Sequence, residues 1–408
     1  MPLRDVDAIL VVPQFHYDVA YLQTEEQYYP RCFDNFREAI ALMERHPDYR
    51  YTIEQPFLVE QFAARCPADF DRLRACFQRG QLEISGALYV IPDMNLPSGE
   101  SLFRQIRRGR RVARELLGAD LRVAWIADTW GHAATMPAIL RHAGLVGYLF
   151  TRGMRPESQR ADMLWRAPDG SEVVAHWLPG GYAALRFPEG EELETETELT
   201  RLEATEENLI ALVTRLRPQF AQGTLLCCSG GDFARPQATA PAVVRAWQQR
   251  GLPVRFGTIA EYVAILRQKA ADLPLETGEF NPLFIGTQAS RIRLKQWNRQ
   301  LEHALASTER LAAVLGLLGG EVSADLDRPE RLLLKNQFHD TISGTLVDAA
   351  FRDAERDYQT AFELVGHETA RLGAGLGGVF NPSAFARTEW VVSRDGESTA
   401  PVTVPPLG

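Results

Sequence analysis

His16 and Asp18 stand two residues apart, just beyond the apolar run Ala8 to Val12. If the chain stays extended there, side chains two apart point the same way, so an imidazole and a carboxylate converge at the spacing of metal ligands. The same pair also fits a hydrogen-bonded loop histidine beside a solvated acid. Asp128 ends the apolar run Val123 to Ala127, and Asp232 follows Leu225 to Cys228 after the flexible Ser229-Gly230-Gly231. Acids at the C-terminal ends of parallel strands occupy the edge where α/β folds build their sites, although each alone would equally serve as a helix N-cap. Three strand ends offering His or Asp at one edge are harder to explain as caps. His339-Asp340 falls where one helical pattern stops and another starts, a place where a lone histidine commonly meets a helix C-terminus or fills a core. In the loop Ile91 to Ser101, Ser98 is a natural N-cap and Glu100 suits a first turn, which leaves Asp93 without an obvious structural duty. His46, His132, His142, His176, His303 and His367 have no partner at informative spacing. Glycine-rich phosphate loops and G-x-S-x-G nucleophile elbows are absent.

The elements that must position these residues alternate in the first two thirds of the chain. Short apolar runs at Ala8 to Val12, Tyr51 to Ile53, Leu82 to Ile84, Val123 to Ala127, Gly147 to Phe150, Val173 to Trp177, Leu225 to Cys228 and Val254 to Phe256 read as strands. Between them, Tyr28 to Arg45, Glu60 to Gln78, Ser101 to Leu117 and Pro137 to Ala143 carry apolar residues at helical spacing. Alternation of this kind predicts parallel strands joined by helices, and seven or eight strands suggest a closed barrel; an open doubly wound sheet would leave the same periodicity. After Phe284 the strand signal ends. Arg299 to Leu318, Arg328 to Phe338 and Thr345 to Arg371 predict a small helix bundle, and Val379 to Pro382 with Trp390 to Val392 read as the opening strands of a β domain. Pro188 to Glu198 reads as a solvated acidic loop.

With 408 residues, of which 45% are hydrophobic and 24% charged, the chain has room for two or three domains. Net charge is -9 and the basic residues, nearly all Arg, are scattered among acids, which argues against nucleic acid as a partner. The first apolar run is too short for a signal peptide and no stretch has the length of a membrane span. Five cysteines without regular spacing predict reduced thiols, and the expected location is the cytoplasm.

Taken in order, the motifs resemble glycoside hydrolase family 38, the zinc-dependent retaining α-mannosidases. His16-Tyr17-Asp18, with Tyr21 and Thr24, is similar to the family's H-x-D-x-x-W-x-x-T opening, and Pro92 to Gln105 to its P-D-x-N-x-P-S-G-E-S-x-x-R-Q loop. Asp128-Thr129-Trp130-Gly131 resembles D-x-F-G, and Gly230-Gly231-Asp232-Phe233 resembles G-x-D-F. Gly286, Ser290-Arg291, Lys295 and Asn298-Arg299 match a further motif, and His339-Asp340 with Gly344-Thr345 resembles H-D-x-x-x-G-T. The resemblance implies a seven-stranded β/α catalytic barrel over residues 1–285, a three-helix bundle over 286–375 contributing a metal ligand, and the start of a truncated β-sandwich domain over 376–408. It implies Zn2+ held by His16, Asp18, Asp128 and His339, with Asp128 also the nucleophile and Asp232 the acid/base. Tyr21, Asp93, Trp130 and Asp340 would face the substrate, a mannose-containing glycan, with Tyr21 standing where the family more often has Trp. Two rival readings are a noncatalytic sugar-binding remnant and a zinc-dependent carbohydrate deacetylase. Uncovered C-terminal strands would favour self-association or a partner subunit.

Overall fold

The computed structural model describes the chain except residues 1–2, 4, 156–159, 189–195, 282, 320–322, 375–377, 393–395, 397–398 and 408, and it leaves the side chains of 196–204 undescribed. Most of the acidic stretch Pro188 to Glu198 and the expected boundary at 375/376 therefore lie outside the described residues.

The strands are β1 (Ala8–Pro13), β2 (Tyr51–Ile53), β3 (Leu82–Ile84), β4 (Val123–Ile126), β5 (Gly147–Phe150), β6 (Asp162–Arg166), β7 (Glu172–Trp177), β8 (Thr224–Ser229), β9 (Val254–Phe256), β10 (Leu275–Thr277), β11 (Arg387–Val392) and β12 (Thr399–Val404). Every expected strand of the first two thirds is present. β1 is buried on both faces, as a continuous Ile-Leu-Val-Val run demands, and pairs in parallel with β8 and β9. β2 pairs with β3, and a mixed five-stranded sheet runs β10-β6-β7-β5-β4.

These sheets do not close into the expected seven-stranded barrel. Single contacts join them: bridges Gln14 to Thr52 and Leu185 to Ser229, and a hydrogen bond of 3.1 Å from Ala87 N to Val123 O. Two physical causes are visible. The apolar runs of β2, β3 and β9 supply only short ladders, and β6 turns back antiparallel to β7 across the Pro168-Asp169-Gly170 turn. Alternation of apolar runs missed β6 because both its ends, Asp162 and Arg166, are charged, and it missed β10, whose residues are only partly covered.

Helices between the strands begin where caps allow. Thr24 and Gln27 form a reciprocal capping box for Glu25–Arg45, and Ser98 caps Gly99–Leu117, which ends on left-handed Gly118. Leu294, Leu301, Leu305, Leu333, Ala354 and Tyr358 pack together where Ile292–Leu317, Asp327–Asn336 and Asp348–Gly373 form the bundle. Leu334 and Phe338 instead join the core of the strand region, so the segment leading to His339 is anchored in both units. β11 and β12 form a two-stranded antiparallel sheet with Trp390 72% exposed, while the Asn381 amide donates to the carbonyls of Phe385 and Pro405 at its base. All five cysteines are free, and among the described residues no helix is long and apolar enough to cross a membrane.

Candidate metal centre

Beyond β1 the chain continues alongside the segment that follows β8. His16 N donates to Gly231 O and Phe233 N to His16 O, which fixes His16 next to Asp232. The approach is close: a Cβ on Gly230 would sit 1.8 Å from the Gln14 carbonyl oxygen, so only glycine fits.

His16 Nε2 lies 3.2 Å from Asp18 Oδ1 and 4.0 Å from Asp128 Oδ2, while Nδ1 lies 2.8 Å from Glu54 Oε1 as an ion-pair contact. From the other side comes His339, at the start of the short helix His339–Ser343. Its Nδ1 meets the Ile91 carbonyl at 2.9 Å, and its Nε2 points to Asp18 Oδ1 and Asp128 Oδ2, each at 3.9 Å, and to Asp340 Oδ2 at 3.7 Å. Those distances exceed a hydrogen bond, and Nε2 of His339 is fully buried without a hydrogen-bond partner. Ligand atoms of His16, Asp128 and His339 lie within 4.8 Å of one another, as do those of Asp18, His339 and Asp340. An orphaned buried imidazole nitrogen among carboxylate oxygens is costly unless something bridges them, and a cation of the zinc class fits two imidazoles with carboxylates.

Electrostatics agree with that arrangement. Burial pushes the Asp128 carboxyl up, but His16, His339 and an Arg152 Nε donor at 2.6 Å outweigh it and hold Asp128 below the usual carboxylate range. Burial would lower His16, yet Glu54 and Asp18 raise it well above its ordinary value. Asp340 is pushed up to about 6 by burial, opposed by His339 and reinforced by Asp18. Asp232 is exposed and accepts from the Tyr182 hydroxyl at 2.8 Å. The Tyr182 phenol, raised by burial and by Asp128 and Asp232, feels both carboxylates. Tyr21 is raised by burial and then by Asp340, Asp18, Asp128 and Asp232, so its ring borders the same space. Trp130 sets its face edge-on to His339, 5.6 Å between centroids, with the Arg152 guanidinium over the indole.

Residues 7–283 match the glycosyl hydrolases family 38 N-terminal domain, and residues 283–370 match the alpha mannosidase middle domain. The chain belongs to glycosyl hydrolase family 38. Among relatives of this family 38 chain, mouse alpha-mannosidase 2C1 is 27% identical over 413 residues, spanning 96% of the chain and 38% of the relative. Alpha-mannosidase G of Dictyostelium discoideum is 24% identical over 360 residues, spanning 86% and 32%. The crystal structure of an alpha-mannosidase from Enterococcus faecalis V583 superimposes with a TM-score of 0.83 at 21% identity, covering 94% of the chain and 46% of that protein. The family 38 chain thus spans less than half the length of each.

Of the residues singled out from sequence, His16, Asp18, Asp128, His339 and Asp340 come together in the family 38 chain, with Asp232, Tyr21 and Trp130 beside them. Asp93 has a duty the sequence did not reveal: its Oδ1 accepts from Asn95 N and Leu96 N, both at 2.8 Å, folding the loop. Burial raises its carboxyl despite those two bonds. Asp128 caps no helix, since the next one, Met136–His142, begins after Thr135. Sequence reasoning missed Glu54, Arg152 and Tyr182. Glu54 directly follows β2 and Arg152 follows β5 by two residues, so polar residues just past strand C-termini carried the signal.

Proposed function

We propose that this family 38 chain carries the catalytic region of a zinc-assisted, retaining α-mannosidase acting on mannose-containing glycans. The observation that supports it most is the buried, unpartnered Nε2 of His339 aimed at Asp18 and Asp128 across from His16. In this reading His16, Asp18, Asp128 and His339 hold the metal. When bound, zinc supplies charge stabilisation and a template for the ring hydroxyls of the sugar. The strand region, about 1–285, supplies three ligands and the bundle, about 286–375, supplies His339.

Asp128, kept ionised by its imidazole and guanidinium neighbours, attacks the anomeric carbon; Asp232, exposed and oriented by Tyr182, protonates the leaving oxygen and then takes a proton from water. Tyr21 and Trp130 provide aromatic faces for the sugar, the phenol adding a hydroxyl beside the carboxylates. Asp340 lies beside His339 where it can accept from a sugar hydroxyl. Neither the deacetylase nor the noncatalytic reading is favoured by the family match. Zinc-loaded protein with a nitrophenyl α-mannoside, followed by proton NMR of the first-formed sugar, tests the reading. Release of the α anomer is expected; the β anomer would overturn retention, and no turnover by protein carrying stoichiometric zinc would overturn the enzyme assignment for this region.

A further inference from the structure

Two imidazoles can serve one cation only if each presents the right nitrogen, and in this chain the dipeptide that follows β2 reaches both. Glu54 is 1% exposed, and its Oε1 lies 2.8 Å from His16 Nδ1, within hydrogen-bond distance although the N–H is not aligned on it, so this buried nitrogen has Glu54 as its near neighbour and no other acceptor bonded to it. The carboxylate is itself held: Tyr17 N donates to Oε1 at 3.0 Å, the Gln55 amide to the same oxygen at 3.3 Å, and Trp125 Nε1 to Oε2 at 3.2 Å. Gln55 extends the connection. Its Nε2 donates to Tyr17 O at 2.7 Å and its Oε1 accepts from Ile91 N at 3.1 Å, and the Ile91 carbonyl in turn receives His339 Nδ1. Glu54 therefore meets one imidazole directly, while Gln55 steadies the backbone carbonyl that orients the other.

We propose that Glu54 is the positioning carboxylate of the metal centre, accepting the Nδ1 proton of His16 so that Nε2 alone faces Asp18, Asp128 and His339. This rests on the metal reading given above. The argument is geometric. Glu54 Oε1 is the acceptor nearest the unpaired His16 Nδ1, and a small turn of the ring aligns the two; a buried imidazole backed in this way is held to one tautomer and one orientation, and such outer partners increase the basicity of the nitrogen that binds. The Tyr182 and His339 rings lie 5.3 and 5.5 Å from that of His16 between centroids. The two histidines are thereby distinguished: a charged acceptor backs His16 and a neutral carbonyl backs His339, so His16 is the stronger donor of the pair.

The test combines zinc affinity, by competition with a chelator, with nitrogen-15 NMR of the histidines in zinc-loaded protein. Wild type should bind one zinc through His16 Nε2 with Nδ1 protonated. Glu54→Gln should bind it about 10- to 100-fold more weakly, the range typical for loss of an outer-shell partner, and the His16 Nδ1–H signal should shift or broaden. Unchanged affinity and an unchanged His16 signal in Glu54→Gln, with wild type still binding one zinc, would overturn this inference alone. Wild type that takes up no zinc would overturn the metal reading and this inference with it. Should Glu54→Gln not fold, the wild-type spectrum decides, since metal on Nδ1 rather than Nε2 refutes the assignment.

Discussion

Among the described residues, two buried clusters bring aspartate and histidine together, and one of them has the makings of a site. Inside the five-stranded sheet, Asp162 of β6 sits opposite His176 of β7, with Oδ1 2.7 Å from Nδ1. The Tyr262 hydroxyl donates to the same oxygen at 2.7 Å and Ala221 N to the other at 2.8 Å. Both carboxylate oxygens are thus satisfied, both residues are 0% exposed, and the rings of Phe220 and Tyr262 close over the imidazole. At the strand ends, by contrast, two imidazoles and several carboxylates converge, with His16 bonded to Asp18 but every carboxylate contact of His339 Nε2 too long for a hydrogen bond, on a rim that includes exposed Asp232 and half-buried Tyr21 and Trp130. Proximity of His to Asp is common to both. What separates them is convergence: the inner cluster leaves one imidazole nitrogen unpaired among aromatic rings, whereas the outer one gathers an unpaired Nε2 with a second imidazole and carboxylate oxygens within 4.8 Å of one another, beside exposed and half-buried residues.

The comparison breaks most sharply with His339→Ala, which should lose stoichiometric zinc and turnover together, measured by metal analysis and an aryl α-mannoside assay; a variant retaining one tightly held zinc would remove His339 from the centre. Asp232→Asn should lose roughly 100- to 10,000-fold on a methyl mannoside and far less on a dinitrophenyl mannoside, whose leaving group needs no proton. Equal losses on both substrates would refute the acid/base role. Asp162→Ala in the inner cluster should cost about 3–5 kcal/mol of stability by urea unfolding, as expected when a buried, bonded acid is removed from its partners, while zinc content stays at wild type. A large loss of zinc there would mean the two clusters are coupled.

The smallest effect concerns a third histidine. His132 is buried, receives the Tyr148 hydroxyl at Nδ1 and donates from Nε2 to Arg152 O, and burial lowers it to about 4. Its folded pKa lies below the ordinary value of 6.5, so the unfolded chain binds more protons between pH 6.5 and about 4. Stability is therefore full above pH 6.5 and declines as the pH falls through that window, by up to about 3 kcal/mol from this group. Urea midpoints at pH 7 and pH 4 should differ less in His132→Asn than in wild type; equal slopes would show that His132 is not the source.

These contrasts mark what could be read in the chain. Runs such as Ala8 to Val12 declared their strands because parallel strands buried on both faces need unbroken apolar residues. Collinear motifs drew His16, Asp18, Asp128, Asp232 and His339 to one place before any coordinates. The closed barrel was not legible correctly, since periodicity reports which residues are buried and not whether neighbouring ladders join. Glu54 and Arg152 escaped because a lone acid or arginine after a strand looks like any solvated loop residue; only their contacts with His16 and Asp128 distinguish them. His132 and His176, given no role from spacing, are interior groups whose partners Tyr148, Asp162 and Tyr262 sit on other elements, although Nε2 of His176 has no hydrogen-bond partner.

The position of His339 beyond the strand region has a consequence for how the molecule is made. At roughly 5–20 residues per second, translation needs on the order of half a minute to proceed from His16 to His339. During that interval Asp18 and Asp128 have emerged with only part of their neutralising company, and the strand region must collapse around carboxylates that still lack their second imidazole. Docking of the Leu334 and Phe338 side chains into that earlier core is then the event that delivers His339. On the proposed metal reading the centre would be a late checkpoint of assembly: a nascent chain that captured a cation before the bundle arrived would have an incomplete ligand set, and one that captured it afterwards would lock both units together.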